Sequence, residues 1–217
     1  MINFINRVLL SFIIISLLYL TAQTGYLAYR LLSEQYAGPH HLKGTAFLVK
    51  KDKNIMYYVT NWHVCKSRYD KSWDTNQTYF GKKIIYLKND PLNDLCLFSI
   101  PYTNDQKDVQ LFEISHNFPI PEWRYVAKCF YWQKDYSLVF MKQTWDYEEH
   151  VYVYQYYYVI IPGCSGSPVL DADGKVIGVM HSVIPRFSIS FGTTLPALRS
   201  FLSDILINCN PNSCQRN

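Results

Sequence analysis

Three side chains of this 217-residue sequence have the types and the order that nucleophilic catalysis needs: His63, Asp94 and Ser165. A serine hydroxyl is a weak nucleophile at neutral pH and attacks when a base stands within hydrogen-bond reach. Histidine serves as that base because its pKa lies near neutrality. A carboxylate on the second ring nitrogen fixes the tautomer and stabilises the imidazolium that forms. Ser165 is therefore the candidate nucleophile, His63 the candidate general base and then acid, and Asp94 the candidate orienting group. Ser165 lies in Pro162-Gly163-Cys164-Ser165-Gly166-Ser167-Pro168. Flanking glycines let the backbone turn sharply and aim its amides at one point. An oxyanion hole made by the N–H groups of Gly163 and Ser165 requires that geometry.

The elements that must position these residues read as strands. Tyrosine is abundant, at 19 residues, and aromatic and β-branched side chains suit pleated, half-buried surfaces. Runs over 56–60, 83–87, 125–132 and 151–159 have strand character. The breaks between them carry Asn, Asp, Lys, Gly and Pro, as turns do. His63 follows the first run, and Asp94 heads the apolar run Leu95-Cys96-Leu97-Phe98. Asp90 is a competing carboxylate, but Asp94 directly abuts the apolar residues. Helical spacing is found in 195–207, where Leu195, Leu198, Leu202 and Leu206 recur and Pro196 fits a first turn. Two prolines in Asn117-Phe118-Pro119-Ile120-Pro121 interrupt any strand and mark a boundary.

Four segments together resemble the trypsin/chymotrypsin-like serine proteases, in the short form of the bacterial high-temperature-requirement proteases and related bacterial and viral peptidases. They are Gly44-Thr45-Ala46-Phe47-Leu48-Val49, Thr60-Asn61-Trp62-His63-Val64, Asp94-Leu95-Cys96-Leu97-Phe98 and Gly163-Cys164-Ser165-Gly166-Ser167-Pro168. The resemblance covers about 44–206. It implies an all-β fold of two antiparallel β-barrels with a C-terminal helix packed on the second. The first barrel, 44–118, would carry His63 and Asp94, and the second, 119–208, would carry Ser165. The function so implied is a serine endopeptidase working through an acyl-enzyme, its partner a protein or peptide substrate. Alternatives are a catalytically silent binding module of the same fold and a dedicated processing protease of viral type.

Viral relatives that use cysteine place it where this chain has Ser165. Cys164 therefore reads as a small buried residue beside the oxyanion hole. Their strand ending Gly-Met-His resembles 174–181 here, except that His181 lies one residue further on, so Met180 falls where that histidine would be. Met180, His181, Ser182 and Ile160 are the candidate substrate-binding residues, His181 on condition of a bulge, because strand side chains alternate faces. No acidic residue stands in Val159-Ile160-Ile161, so apolar or small side chains are expected before the cleaved bond.

Residues 8–22 are almost wholly apolar, and no charge separates Arg7 from Arg30. That interval is long enough for a single membrane span, with a cleaved signal peptide as the rival. Segment 1–30 is thus expected to be an anchor or signal, 31–43 a linker holding the isolated pair His40-His41, and the fold beyond them to be exported. Cys209 and Cys214, in the tail 209–217, have a spacing that suits a small disulfide loop. Cys65 and Cys96 have two open placements, as buried thiols or as neighbours in the barrel, and Cys129 reads as a buried thiol. Ligand spacings of the C-x-x-C or H-x-x-x-H type are lacking, so neither metal nor other cofactor is expected. The net charge of +4 is too small and dispersed for nucleic acid, and the tyrosine-rich 151–159 lacks interleaved Lys and Arg. Oligomeric state is not readable.

Overall fold

The structure, a computed structural model, describes residues 44–66, 77–130, 133–148, 150–158 and 163–206, all within one compact unit. The apolar segment 8–22, the linker with His40 and His41, Ile160, Cys209 and Cys214 lie outside the described residues. Among the described residues no helix is long and apolar enough to cross a membrane.

The first lobe is a sheet of β1 (Phe47–Lys51), β2 (Ile55–Thr60), β6 (Leu95–Pro101) and β5 (Ile85–Asp90), antiparallel in the order β1-β2-β6-β5. A two-stranded hairpin, β3 (Thr78–Tyr79) with β4 (Lys82–Lys83), stands beside it. This departs from the closed first barrel expected from sequence. The hairpin strands have two residues each, too short to carry the sheet round from β5 to β1. The outer edge of β1 is covered by the linker between the lobes, where the Phe112 N–H bonds Leu48 O at 2.9 Å. The run expected as one strand over 83–87 is divided at Ile84, whose side chain turns into the lobe's core.

The second lobe is a closed barrel of β10 (Pro168–Leu170), β11 (Val176–Ile184), β12 (Ile189–Thr193), β9 (Val151–Tyr157), β8 (Lys134–Asp146) and β7 (Arg124–Cys129), in that order. Alternation puts Tyr136, Leu138 and Phe140 of β8 inside, with Tyr154 and Tyr156 of β9. A closed barrel leaves no unpaired sheet edge along its closed length.

The helix Leu195–Leu206 follows β12. Its Leu198, Phe201 and Leu202 pack in one cluster with Phe47, Leu95 and Leu97 of the first lobe and Val176 and Val179 of the barrel. It therefore clamps both lobes. Lys88 of β5 donates to Phe201 O at 3.0 Å and to Asp204 at 2.9 Å, and Arg199 Nε donates to Ser115 O in the linker at 3.1 Å.

Candidate active site

Asp90 and Asn93 close the turn before β6: the Asp90 carboxylate accepts the Asn93 N–H at 3.2 Å and its side-chain amide at 2.7 Å. Asp90, the rival carboxylate, thus builds the turn that presents Asp94. Asp94 itself has φ of +51°, a left-handed backbone that Asp and Asn adopt more readily than other side chains.

Asp94 then caps a helix from a distance. The helix Trp62–Cys65 begins with N–H groups that lack partners within it. Asn61, in the capping position, makes no side-chain cap. Instead the Trp62 N–H bonds Asp94 O at 3.1 Å and the His63 N–H bonds Asp94 Oδ1 at 2.9 Å. Asn61 Nδ2 adds a bond to Asp94 O at 2.9 Å. The other carboxylate oxygen, Oδ2, lies 2.6 Å from His63 Nδ1. That contact commits Nδ1 to the carboxylate and leaves Nε2 to exchange protons with a substrate or nucleophile.

The Ser165 loop is completed by the first lobe. The Thr45 N–H bonds Ser165 O at 2.8 Å, and Thr45 Oγ1 donates to Gly163 O at 3.2 Å. Thr60 Oγ1 donates to Thr45 O at 2.6 Å, so β2 supports the same stretch. From the barrel, Gly166 N–H bonds Met180 O at 2.8 Å and Met180 N–H bonds Ser167 O at 2.9 Å. Gly166 has φ of +87°, and a Cβ there would stand 2.0 Å from Thr45 O and 2.2 Å from Thr60 Oγ1. No side chain fits. Among the described residues, the Gly163 and Ser165 N–H groups have no backbone acceptor.

Two disulfides brace these parts: of the two placements open to Cys65 and Cys96 the structure has them as neighbours, and the reading of Cys129 as a buried thiol is corrected. Cys65–Cys96 ties the helix bearing His63 to the strand that follows Asp94, with Cα atoms 6.6 Å apart. Cys129–Cys164 ties the residue before Ser165 to the end of β7, at 5.0 Å. All four are at most 1% exposed. Loops of this length contribute roughly 3–4 kcal/mol each when closed.

A cleft of about 320 Å³ opens beside His63 and Asp94, lined also by Trp62, Tyr152, His181 and Ser182. His181 is there because β11 carries a bulge: Met180 pairs with Gly192 and Ser182 with Phe191, leaving His181 as the extra residue. Burial pushes the His181 imidazole below its ordinary pKa; Asp94 and Asp146 pull it up, and His63 pushes it further down. Met180 is fully buried in the barrel core, so its side chain does not line the cleft and its contribution to the Ser165 loop is made by its backbone. Ser182 is exposed at the cleft.

Sequence reasoning did not find the Thr45–Thr60 support or the acidic groups Asp146 and Glu148, which reach the cleft from the β8–β9 hairpin. Thr45 and Thr60 did lie inside the motif segments, which was the available signal. Among the described residues no group of three His, Cys, Asp or Glu side chains is arranged to hold a metal ion.

The trypsin-like peptidase domain family matches residues 44–179. No curated protein matches the chain. Among solved structures, the Rv3671c protease of M. tuberculosis in its active form is 17% identical, with a TM-score of 0.55, covering 74% of this chain and 72% of that one. Its inactive form is 18% identical at 0.56, covering 75% and 83%. The HtrA-type protease AlgW, solved with a decapeptide, is 18% identical at 0.57; the match covers 76% of this chain and 52% of AlgW, so the chain spans about half of AlgW's length. At such identities the likeness is one of fold.

Proposed function

The chain belongs to the trypsin-like peptidase family, and from that premise we propose that it is a serine endopeptidase acting through an acyl-enzyme. Ser165 attacks the scissile carbonyl, His63 takes its proton at Nε2 and returns it to the leaving amine, and Asp94 holds the imidazole. The amides of Gly163 and Ser165 receive the oxyanion. Water then repeats the sequence on the acyl-enzyme. The observation that carries this reading is the 2.6 Å contact from Asp94 Oδ2 to His63 Nδ1, made on a lobe that also supports the Ser165 loop through Thr45.

The substrate is a peptide in extended form. Beyond Met180, β11 outruns the three-residue β10, and among the described residues Ser182–Ile184 pair with β12 alone. Among those residues one edge of β11 is open beside the cleft, suited to adding a strand. Buried disulfides persist in oxidising compartments, which supports placing the enzyme on the exported side of a membrane. The segment 8–22 would serve there as anchor or signal.

The test is active-site labelling of the full chain by a fluorophosphonate, beside Ser165→Ala and His63→Ala. Labelling of the wild type that vanishes in both variants is expected. A folded wild type that takes no label overturns the proposal in favour of a silent binding module.

A further inference from the structure

His181 is not needed by the mechanism above, yet the fold delivers it to the cleft that the orienting carboxylate lines. Strict alternation along β11 would turn adjacent residues to opposite faces. The bulge breaks it, so that His181 and Ser182 both line the cleft that holds His63 and Asp94. The neighbouring strand closes the distance from the other side: Thr193 of β12, which pairs with Val179, donates to Asn93 O at 2.9 Å, one residue before Asp94. The half-buried His181 ring makes no side-chain hydrogen bond among the described residues, and it interacts electrostatically with both Asp94 and His63.

We propose that His181 is a positioning residue for Asp94: unprotonated, it leaves the carboxylate to His63; protonated, it competes with His63 for that carboxylate. The proposal rests on the endopeptidase reading for its effect on turnover, though the competition itself does not. The charged and titratable groups that line the cleft with His181 are Asp94, His63 and Lys66 of the first lobe, Asp146 and Glu148 of the β8–β9 hairpin, and Tyr152 of β9, of which Asp94, His63 and Asp146 act on the ring; β12 offers Thr193, which does not titrate. Of the two imidazoles, the desolvated His181 takes its proton with more difficulty than an exposed one, and takes it from bulk water. Once cationic, it draws Asp94 away and repels a proton on His63. Two protonations therefore oppose catalysis, one on each ring, and they are coupled through one carboxylate.

The experiment uses the full chain. The rate constant for fluorophosphonate labelling of Ser165 is measured against pH for the wild type and for His181→Gln. Ring-nitrogen NMR follows the titration of His63 in both. The wild type should lose reactivity on the acid side with a limiting slope near two, falling to one in His181→Gln. The His63 titration should be biphasic in the wild type and simple in the variant. A slope of one in the wild type, or a His63 titration indifferent to residue 181, overturns the proposal. Should the variant fail to fold, the shape of the wild-type His63 titration decides alone. Absence of labelling at every pH would refute the endopeptidase reading, and the ring titrations would still decide for or against His181.

Discussion

Asp94 grips His63 by both carboxylate oxygens, Oδ1 to the backbone N–H at 2.9 Å and Oδ2 to the ring at 2.6 Å. One contact sets the helix and the other sets the imidazole. Replacing Asp94 by Asn keeps an oxygen for one of them but presents an N–H₂ to the other, which favours the wrong ring tautomer. We expect Asp94→Asn to lower kcat by about 10⁴-fold in peptide hydrolysis, with circular dichroism and melting close to the wild type.

Gly166→Ala should cost both activity and stability. A Cβ would meet the Thr45 carbonyl and the Thr60 hydroxyl far inside van der Waals contact, on a backbone at φ +87°. Overpacking costs about 1–3 kcal/mol, and a left-handed backbone about 1–2 kcal/mol more. The urea midpoint should fall accordingly, and fluorophosphonate labelling should drop with it. An unchanged midpoint would contradict the support described for the Ser165 loop.

The disulfides should resist reduction until the chain opens. Their sulfurs belong to residues at most 1% exposed, so dithiothreitol in native buffer should release no thiol from these four cysteines within hours, and mass-spectrometric mapping of alkylated cysteines would show it. In urea all four should appear. Removing the pair by Cys129→Ala with Cys164→Ala should lower stability by roughly 3–4 kcal/mol and reduce the rate of labelling of the protein that remains folded, because Cys164 adjoins the nucleophile.

His181 should make the fold weaker in acid. Its pKa is lowered in the native state, chiefly by burial. Between that value and the ordinary imidazole value near 6.5, the unfolded chain binds the extra proton and the native one does not. Stability therefore rises with pH through that window, is complete above it, and falls away as the pH drops. The His181→Gln variant should lose less stability than the wild type between neutral pH and pH 5. Parallel denaturation curves at both pH values would count against it.

The residues with motif contexts were the legible ones. His63, Asp94 and Ser165 each stand beside an apolar strand in a short run whose local chemistry is visible, and the helix after β12 announced itself by leucine spacing. The approach of Cys65 and Cys96 was one of two open readings, and the pairing of Cys129 with Cys164 was not visible. Cys129 and Cys164 meet because β7 and the Ser165 loop lie side by side, a consequence of barrel closure and not of spacing along the chain. The position of His181 could be read only on condition of a bulge, since a bulge is set by pairing with β12 while the sequence displays plain alternation. The first lobe differed for a related reason: strands of two residues carry too little pattern to show whether a sheet closes. Ile84 turned inward where the run 83–87 promised an unbroken strand.

The Thr45 amide holds the carbonyl of Ser165, its hydroxyl holds that of Gly163, and two residues later the chain enters β1. The loop that would carry out the chemistry thus hangs from a strand of the opposite lobe. A displacement of β1 reaches Ser165 through Thr45 and two hydrogen bonds. Strain in that strand would be felt as a change of shape at the oxyanion amides.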